Sequence, residues 1–422
     1  MKKYLARIAD DILLEKLEAK GAVLIEGPKW CGKTTTAAQI ARSSIYIQDP
    51  SKKSQYLKMA ELEPHMLLDG DTPRLIDEWQ LAPQLWDAVR FEIDKRDAFN
   101  QFILTGSTVP SADMSTSHTG TGRISRMVMR PMTLFESGES NGSISLGDLF
   151  NEQTNIAVKS EIDIRRLAYL ICRGGWPKAV GQSEKVALTQ AFDYYDAVVE
   201  SDISAVDGVN RNPQRVQLLM RSFSRFIATD AKITNIRLDM VSNDLDSLND
   251  GTIFSYINAL KKIFVIEDLP AWSPNLRSKT AIRTSDTRHF VDPSIAVASL
   301  GVGPGDLLND LNTMGLLFES MCIRDLRVFS EALDGKVYHY RDKAGLECDA
   351  VVHLRNGSYA LIEVKLGGGD IEYAAKNLLQ LKNKIDTDRM KEPSFLMILT
   401  GTEFGYRRDD GIYVVPLGCL KH

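Results

Sequence analysis

A glycine-rich pattern near the start of the chain constrains its fold more than any other feature. An apolar run at 23–25 is followed at 27–34 by Gly-x4-Gly-Lys-Thr, and residues 35–42 have helical character. A strand, a glycine turn and a helix in this order gather backbone N–H groups and the positive end of the helix around one point. The pattern therefore predicts a phosphate-binding loop within a parallel α/β sheet.

This loop predicts that the chain binds ATP and Mg²⁺. We expect Lys33 to reach the β- and γ-phosphates and the Thr34 hydroxyl to bind the metal. The alternative is an accidental match, which ordinary residue usage produces in about 1 to 2% of chains of this length. The residues predicted to contact the nucleotide through the loop are Gly27, Pro28, Lys29, Trp30, Cys31, Gly32, Lys33, Thr34 and Thr35.

A second apolar run, 75–76, ends in two acids, Asp77 and Glu78. We predict that Asp77 is a metal ligand and that Glu78 polarises the attacking water. Two surface acids after a strand are the alternative. The glycine loop upstream favours the catalytic interpretation.

Two hydroxyl residues and an arginine complete the predicted ATPase site. Thr105 and Ser107 follow the apolar run 102–104, so we expect them near the γ-phosphate at the carboxyl edge of the sheet. A strand cap and a turn are the alternative for this pair. Arg123, with Arg126 behind it, is the predicted cation for the transition state, and a solvated surface arginine is its alternative.

The chain of 422 residues is long enough for several domains. We predict an α/β domain over 1–145, a helical and winged helix-turn-helix domain over 146–305 and a second α/β domain over 306–422. A net charge of -5, scattered cysteines, and no long apolar run or signal-peptide pattern indicate a cytoplasmic protein that does not enter a membrane.

Apolar periodicity gives the predicted elements of the two α/β domains. The predicted strands lie at 23–25, 45–47, 75–76, 102–104, 127–129, 336–340, 348–354, 359–364 and 395–399, and the predicted helices at 81–95 and 373–384. A loop rich in Ser, Thr and Gly is predicted at 109–122, and a polar stretch at 136–145 closes the first domain.

The middle segment is mostly helical, with predicted strands at 264–266 and 288–291 around a polar hairpin. This order favours a winged helix-turn-helix whose recognition helix spans 252–262. The alternative is a winged helix that serves only packing or protein contacts. The basic residues of the predicted wing are Arg277, Lys279, Arg283 and Arg288.

Two acids and a lysine form a further candidate site near the C-terminus. Glu363 and Lys365 project from one face of a predicted strand, and Asp349 lies on its neighbour. We predict that Asp349 and Glu363 hold Mg²⁺ and that the cluster, with Lys365, activates water against a phosphodiester. The alternative is a charge pair on an inactive copy of the fold. Glu319 and Gln380 lie in the flanking helices.

The chain resembles bacterial and archaeal AAA-type ATPases that carry a C-terminal domain of unknown function with a restriction-endonuclease-like end. The resemblance covers nearly the whole length. It implies a PD-(D/E)xK nuclease-like fold and an assembly in which an arginine crosses a subunit boundary. The motifs that carry it are Leu104-Thr-Gly-Ser107, Gly122-Arg123, Arg173-Gly-Gly-Trp-Pro177, Glu200-Ser-Asp202, Phe290-Val-Asp292, Glu347-Cys-Asp349 and Glu363-Val-Lys365.

The sequence as a whole predicts a Mg²⁺-dependent ATPase whose nucleotide state controls a nuclease-like domain acting on nucleic acid. The alternative is a nucleotide-switched regulator that binds DNA or a protein and whose nuclease-like domain is inactive. A regulator with no role on nucleic acid is a third hypothesis.

Overall fold

The computed structural model describes residues 4–108, 120–151, 155–241, 249–273, 285–388 and 390–422. The chain forms two compact units. The first comprises Met1–Pro131, Asp202–Asn210 and Ala259–Val265, and the second comprises Met132–Ser201, Arg211–Asn258 and Ile266–His422. No helix of the described residues is long and apolar enough to cross a membrane.

The helices alternate with strands at both ends of the chain and dominate its middle. They are α1 (Ile8–Ala19), α2 (Lys33–Ile40), α3 (Lys53–Leu62), α4 (His65–Leu68), α5 (Gln84–Arg96), α6 (Leu146–Asn151), α7 (Ile164–Arg173), α8 (Glu184–Ala197), α9 (Ile203–Ala205), α10 (Pro213–Arg225), α11 (Ile233–Val241), α12 (Asp250–Lys262), α13 (Pro293–Leu300), α14 (Pro304–Asn309), α15 (Leu311–Ala332) and α16 (Ile371–Lys384).

The strands confirm each predicted strand of the two α/β segments. They are β1 (Ala22–Glu26), β2 (Ser43–Tyr46), β3 (Arg74–Asp77), β4 (Phe102–Gly106), β5 (Ile124–Val128), β6 (Ile144–Ser145), β7 (Ala157–Lys159), β8 (Gly335–Arg341), β9 (Glu347–Leu354), β10 (Tyr359–Lys365), β11 (Phe395–Thr400), β12 (Phe404–Arg407), β13 (Tyr413–Pro416) and β14 (Leu420–Lys421).

The sheet of the first unit has the strand order β2-β3-β4-β1-β5, and the paired strands are parallel. Every residue of β1 and β4 is buried, as expected for central strands covered on both faces. Trp79 and Trp86 pack with ring centroids 4.9 Å apart in the core on one face. Because β4 lies between β1 and β3, the ends of these strands meet at one edge.

The larger sheet of the second unit has the order β7-β12-β13-β11-β10-β9-β8. β10 is buried except at Lys365, and it pairs in parallel with β11 and in antiparallel with β9. α16 packs its apolar face on this sheet through residues that include Ala374 and Leu378. The sheet therefore fixes the relative positions of β9 and β10, which carry the C-terminal candidate residues.

Five strands in the described part of the second unit were not predicted, among them the short strands β6 and β7. β6 pairs with β14, and β7 pairs with β12 at the end of the larger sheet. At two and three residues they are too short to show a periodicity. β6 and β7, which were assigned to two different domains from the sequence, therefore both pair with strands of the C-terminal segment.

The predicted strands of the middle segment are wrong as continuous strands. Ile266 pairs with Phe290 and Leu269 with Thr287, but both pairs are isolated antiparallel bridges. Arg288 is mostly buried and donates a 2.6 Å hydrogen bond to Asp268, so it is not a free wing residue. The other wing residues, Arg277, Lys279 and Arg283, lie outside the described residues, as does most of the predicted loop at 109–122.

Candidate functional site

The glycine-rich loop joins the end of β1 to the start of α2. Gly27 has a φ of 150° and Gly32 a φ of 106°. A β-carbon on Gly27 would lie 2.1 Å from the carbonyl oxygen of Met129, so only glycine fits there. α2 begins at Lys33, and the first N–H groups of a helix have no partner within it. The predicted strand, loop and helix are confirmed.

Carbonyl oxygens of this loop hold two basic side chains. Lys33 Nζ donates hydrogen bonds to the carbonyl oxygens of Gly27, at 2.9 Å, and Pro28, at 2.7 Å. Arg7, which the sequence did not suggest, donates from Nη1 to the carbonyl oxygen of Cys31 at 2.8 Å. Both basic side chains are buried. Positive charge is therefore concentrated where the pattern predicts phosphate.

The carboxylate of Asp77, at the end of β3, connects this loop with the neighbouring strands. Its Oδ1 accepts hydrogen bonds from the hydroxyls of Thr34, at 2.6 Å, and Thr105, at 2.7 Å. Its Oδ2 accepts one from Gln48 at 3.0 Å. Asp77 is fully buried, and a buried carboxylate requires such donors. β4 thus places the Thr105 hydroxyl on the same carboxylate oxygen that Thr34 contacts.

Glu78 has a strained backbone and a firmly held carboxylate. Its φ of 56° and ψ of 49° lie in the left-handed region, which costs a non-glycine residue about 1 to 3 kcal/mol. Its N–H donates to Thr105 Oγ1 at 3.2 Å. Its Oε2 accepts hydrogen bonds from Gln80 and, at 3.1 Å, from the Ser107 hydroxyl. Ser107 therefore orients an acid that follows Asp77 directly.

The two candidate arginines differ in position: Arg126 is the middle residue of β5, and Arg123 directly precedes that strand. Arg126 Nη1 is 3.3 Å from Oε1 of Glu26, which immediately precedes the glycine-rich loop. Burial raises the pKa of Glu26, and the charge of Arg126 partly opposes that rise. Arg123 instead precedes β5, and its carbonyl oxygen accepts from the N–H of Ala22, the first residue of β1.

Arg123 is therefore at the amino edge of the sheet, whereas the glycine-rich loop leaves the carboxyl edge. The length of β1 separates the two, and a strand rises about 3.3 Å per residue. Arg123 forms a 2.8 Å ion pair with Asp94 and its side chain is 47% exposed. Arg123 therefore lies apart from the ATPase site of its own domain, and its role as the transition-state cation stays a prediction. The sequence does not say at which end of a strand a residue lies.

Lys29 links the loop to Asp202 of the Glu200-Ser-Asp202 motif, whose role could not be predicted from its residues. Its Nζ is 2.7 Å from Oδ1 of Asp202, which ends a π-helical turn, Val198–Asp202. An ion pair with one exposed partner contributes about 0 to 1 kcal/mol. The contact nevertheless gives this motif a place beside the loop.

The C-terminal acids and lysine are in contact across β9 and β10. Lys365 Nζ lies 2.7 Å from Oε2 of Glu363 and 3.3 Å from Oδ2 of Asp349. The same Asp349 oxygen accepts a 2.7 Å hydrogen bond from the N–H of Val364. Glu363 is buried, and its Oε1 has no hydrogen-bond partner among the described residues.

Burial and close charges shift the pKa values of this cluster. Burial, and then the charge of Asp349, raise the pKa of Glu363 to about 8. Burial alone would lower the pKa of Lys365, but the two carboxylates raise it. Burial and Asp349 also raise the pKa of Glu319 well above 4.5. A positive ligand beside these acids would favour their ionised forms.

A cavity of about 320 Å³ opens beside this cluster, entirely within the second unit. Glu319, Asp349 and Lys365 line it, together with His339 and Glu347. His339 is buried, at 4% exposed. Gln380, by contrast, is on the exposed side of α16.

Both sites offer the hard oxygen ligands that suit Mg²⁺. At the first, the Thr34 hydroxyl and Asp77 carboxylate are adjacent. At the second, Oε1 of Glu363 has no hydrogen-bond partner among the described residues and is available to a cation. In the described part of the chain, no group of three or more His, Cys, Asp or Glu side chains is arranged to hold a metal. A cation at either place would therefore take further ligands from substrate or water.

The parallel sheet, the loop after β1 and the Thr34–Asp77 contact together define a P-loop α/β domain. Residues 19–137 match a protein-family model described as "AAA domain". Residues 164–306 and 314–420 match two models described as "Domain of unknown function", DUF8612 and DUF4143. No curated protein is significantly similar to this chain.

Solved structures that match include a RuvB variant from Thermotoga maritima and the Aeropyrum pernix ORC1 protein in complex with DNA. The first is 14% identical, with 62% of this chain and 88% of that chain covered and a TM-score of 0.26. The second is 12% identical, with 71% and 93% covered and a TM-score of 0.25. These scores are too low to support a functional inference.

Proposed function

We propose that this protein is a Mg²⁺-dependent ATPase whose nucleotide state controls a nuclease-like C-terminal domain acting on nucleic acid. The observation that carries the ATPase function is the Asp77 carboxylate, buried between the hydroxyls of Thr34 and Thr105 and followed by the held carboxylate of Glu78. A metal-coordinating acid and a general base are thereby adjacent beside a phosphate loop.

In this proposal the loop N–H groups and Lys33 bind the phosphates. Bound Mg²⁺ would supply a Lewis acid that neutralises charge on the phosphate oxygens. Glu78 accepts the proton of the attacking water, and Ser107 holds the carboxylate in the orientation that this transfer requires. Arg126 offsets the charge of Glu26 beside the loop.

Two substitutions separate binding from hydrolysis. Lys33→Ala removes charge-assisted hydrogen bonds worth about 1.5 to 3 kcal/mol, so ATP affinity should fall at least tenfold. Glu78→Gln should leave affinity within a few fold and abolish turnover. Binding is measured by calorimetry and hydrolysis by phosphate release, with the exposed Lys58→Ala and Glu18→Gln as controls. Unchanged hydrolysis in both site variants would overturn the assignment.

The contacts of Lys365 with Asp349 and Glu363 support a nuclease-like function for the C-terminal domain. Two carboxylates can hold a divalent cation, and a lysine beside them can position the attacking water against a phosphodiester. The buried, unpaired oxygen of Glu363 favours this over a structural charge pair, because leaving a carboxylate oxygen unpaired is costly.

Cleavage assays distinguish this proposal from a binding regulator. Purified protein is incubated with single- and double-stranded DNA and Mg²⁺ or Mn²⁺. Cleavage that is lost in Asp349→Ala and Lys365→Ala supports a nuclease. Salt-sensitive binding without cleavage supports the nucleotide-switched regulator instead, and no binding to nucleic acid supports a regulator of another kind.

The position of Arg123 supports a homo-oligomeric ATPase. The composition of the chain supports a location in the cytoplasm. At the amino edge of its own sheet, Arg123 can serve catalysis only at the site of another subunit. Mixing Arg123→Ala with Lys33→Ala protein should then restore part of the hydrolysis that each lacks. A mixture as inactive as its components would overturn catalysis across subunits.

A further inference from the structure

Charged residues of both signs line the cavity beside the C-terminal cluster. Glu319, Asp349 and Lys365 line it on the side of the candidate catalytic cluster, and Asp230, Arg341 and Glu347 complete the charged lining. Asp230 lies in the loop between α10 and α11, whereas Arg341 ends β8. The cavity has a volume of about 320 Å³. Cavities that hold small molecules have volumes of about 300 to 1,000 Å³, so this one is near the lower end of that range.

Two acids hold Arg341 at this cavity, and one N–H group of its guanidinium lacks a hydrogen bond among the described residues. Its Nη1 lies 2.9 Å from Oδ1 of Asp230, and its Nε lies 3.5 Å from Oε2 of Glu347. The buried Nε makes no hydrogen bond within the described part of the chain. A guanidinium carries five N–H donors and binds phosphate through two of them at once. A phosphate oxygen would satisfy the unpaired donor.

We propose that the cavity binds one nucleotide unit of a single strand, with Arg341 on its phosphate and Asp230 holding Arg341 until the strand arrives. This rests on the proposed nuclease-like function. The cavity is too small to enclose a base-paired duplex, which is far wider than one nucleotide. Arg341 is a positioning residue, and Lys365 and Asp349 line the same cavity, where the scissile phosphodiester would be.

Because Asp230 and the phosphate compete for one guanidinium, their substitutions have opposite effects. Asp230→Asn weakens the competing contact and should strengthen single-strand binding several fold. Arg341→Gln should weaken it about tenfold, and Arg341→Lys should restore part of the loss. Each phosphate contact on a single strand contributes about 0.7 to the slope of log affinity against log salt. Arg341→Gln should reduce this slope by that amount, whereas a merely structural change would leave it.

The test uses the full-length protein and fluorescence anisotropy with a labelled oligodeoxynucleotide, alone or annealed to its complement, in Ca²⁺. We expect the single strand to bind at least tenfold more tightly than the duplex. The control is Arg355→Gln, whose partner Asp334 is 75% exposed, and it should not change binding. Thermal unfolding of each variant shows that the protein remains folded.

Equal affinity for duplex and single strand, or unchanged affinity and salt slope in Arg341→Gln, would overturn the proposal. So would the absence of single-strand binding. The cleavage assay reports on the proposed function independently. Arg341-dependent single-strand binding without cleavage would reject the nuclease and retain this inference, whereas duplex cleavage that is indifferent to Arg341 would do the reverse.

Discussion

Thr105 donates a 2.7 Å hydrogen bond to Oδ1 of Asp77, and both residues are fully buried. The same hydroxyl accepts the N–H of Glu78. One side chain therefore fixes both the acid that we propose to bind the metal and the backbone of the proposed general base. Removing it should affect hydrolysis more than nucleotide affinity.

We expect Thr105→Val to lower the ATP hydrolysis rate at least tenfold while ATP affinity stays within a few fold. Valine has the same shape but leaves buried partners unsatisfied, which costs about 1 to 3 kcal/mol. Thr105→Ser retains the hydroxyl and is the matched control. Equal hydrolysis rates in the valine and serine variants would contradict this role.

The close approach of Gly27 to Met129 gives a second prediction. Gly27→Ala should abolish stabilisation by ATP in thermal unfolding, because the new β-carbon collides with a backbone carbonyl that cannot move aside. Gly138 also has a positive φ, but a β-carbon there meets nothing within 4 Å. Gly138→Ala is therefore the control for backbone strain alone, and it should retain the ATP-dependent shift.

The buried pair of Arg324 and Asp292 gives a third prediction. Arg324 donates from Nη1 to Asp292 at 2.8 Å and from Nε to Asp325 at 2.8 Å. Arg324→Met leaves two buried carboxylates without their cation, so the free energy of unfolding should fall by about 3 to 5 kcal/mol. Urea unfolding measures this, with the exposed Arg355→Met as control. A loss no larger than that of the control would contradict the prediction.

His289 makes stability depend on pH. Burial, and then the charge of Arg327, lower its pKa well below 6.5, so the folded state keeps it neutral. The unfolded chain takes up the proton as the pH falls below about 6.5, and stability then declines by up to about 1.4 kcal/mol per pH unit. His289→Asn cannot take up this proton. Its unfolding free energy, measured between pH 7 and pH 5, should decline less steeply than that of the unchanged protein.

The sequence predicted the structure most accurately where the signal is local. The glycine-rich loop and the apolar runs of β1, β3, β4 and β10 depend on neighbouring residues, and each was located correctly. The contact of Arg341 with Asp230 joins residues 111 apart, and that of Arg7 with Cys31 joins residues 24 apart. Neither lies in a recurring pattern, so only the packing of the chain reveals them.

The motifs of the resemblance also acquired physical roles that their residue types did not indicate. Asp292 accepts hydrogen bonds from the N–H of Gly175 at 2.9 Å and from Arg324. Trp176 donates to Ser294 at 3.0 Å. The Arg-Gly-Gly-Trp-Pro and Phe-Val-Asp motifs thus stabilise one buried polar network. The sequence shows these residues as two separate motifs, but it does not show that they form hydrogen bonds with one another.

The pairing of β7 with β12 determines which fragments of this protein can be prepared. A fragment that begins at residue 314, where the second family of unknown function begins, lacks β6 and β7. It would expose the backbone N–H and C=O groups of β12 as an open edge, and open edges recruit strands from other molecules. Such a fragment should aggregate, whereas one that starts at Met132 retains both partner strands.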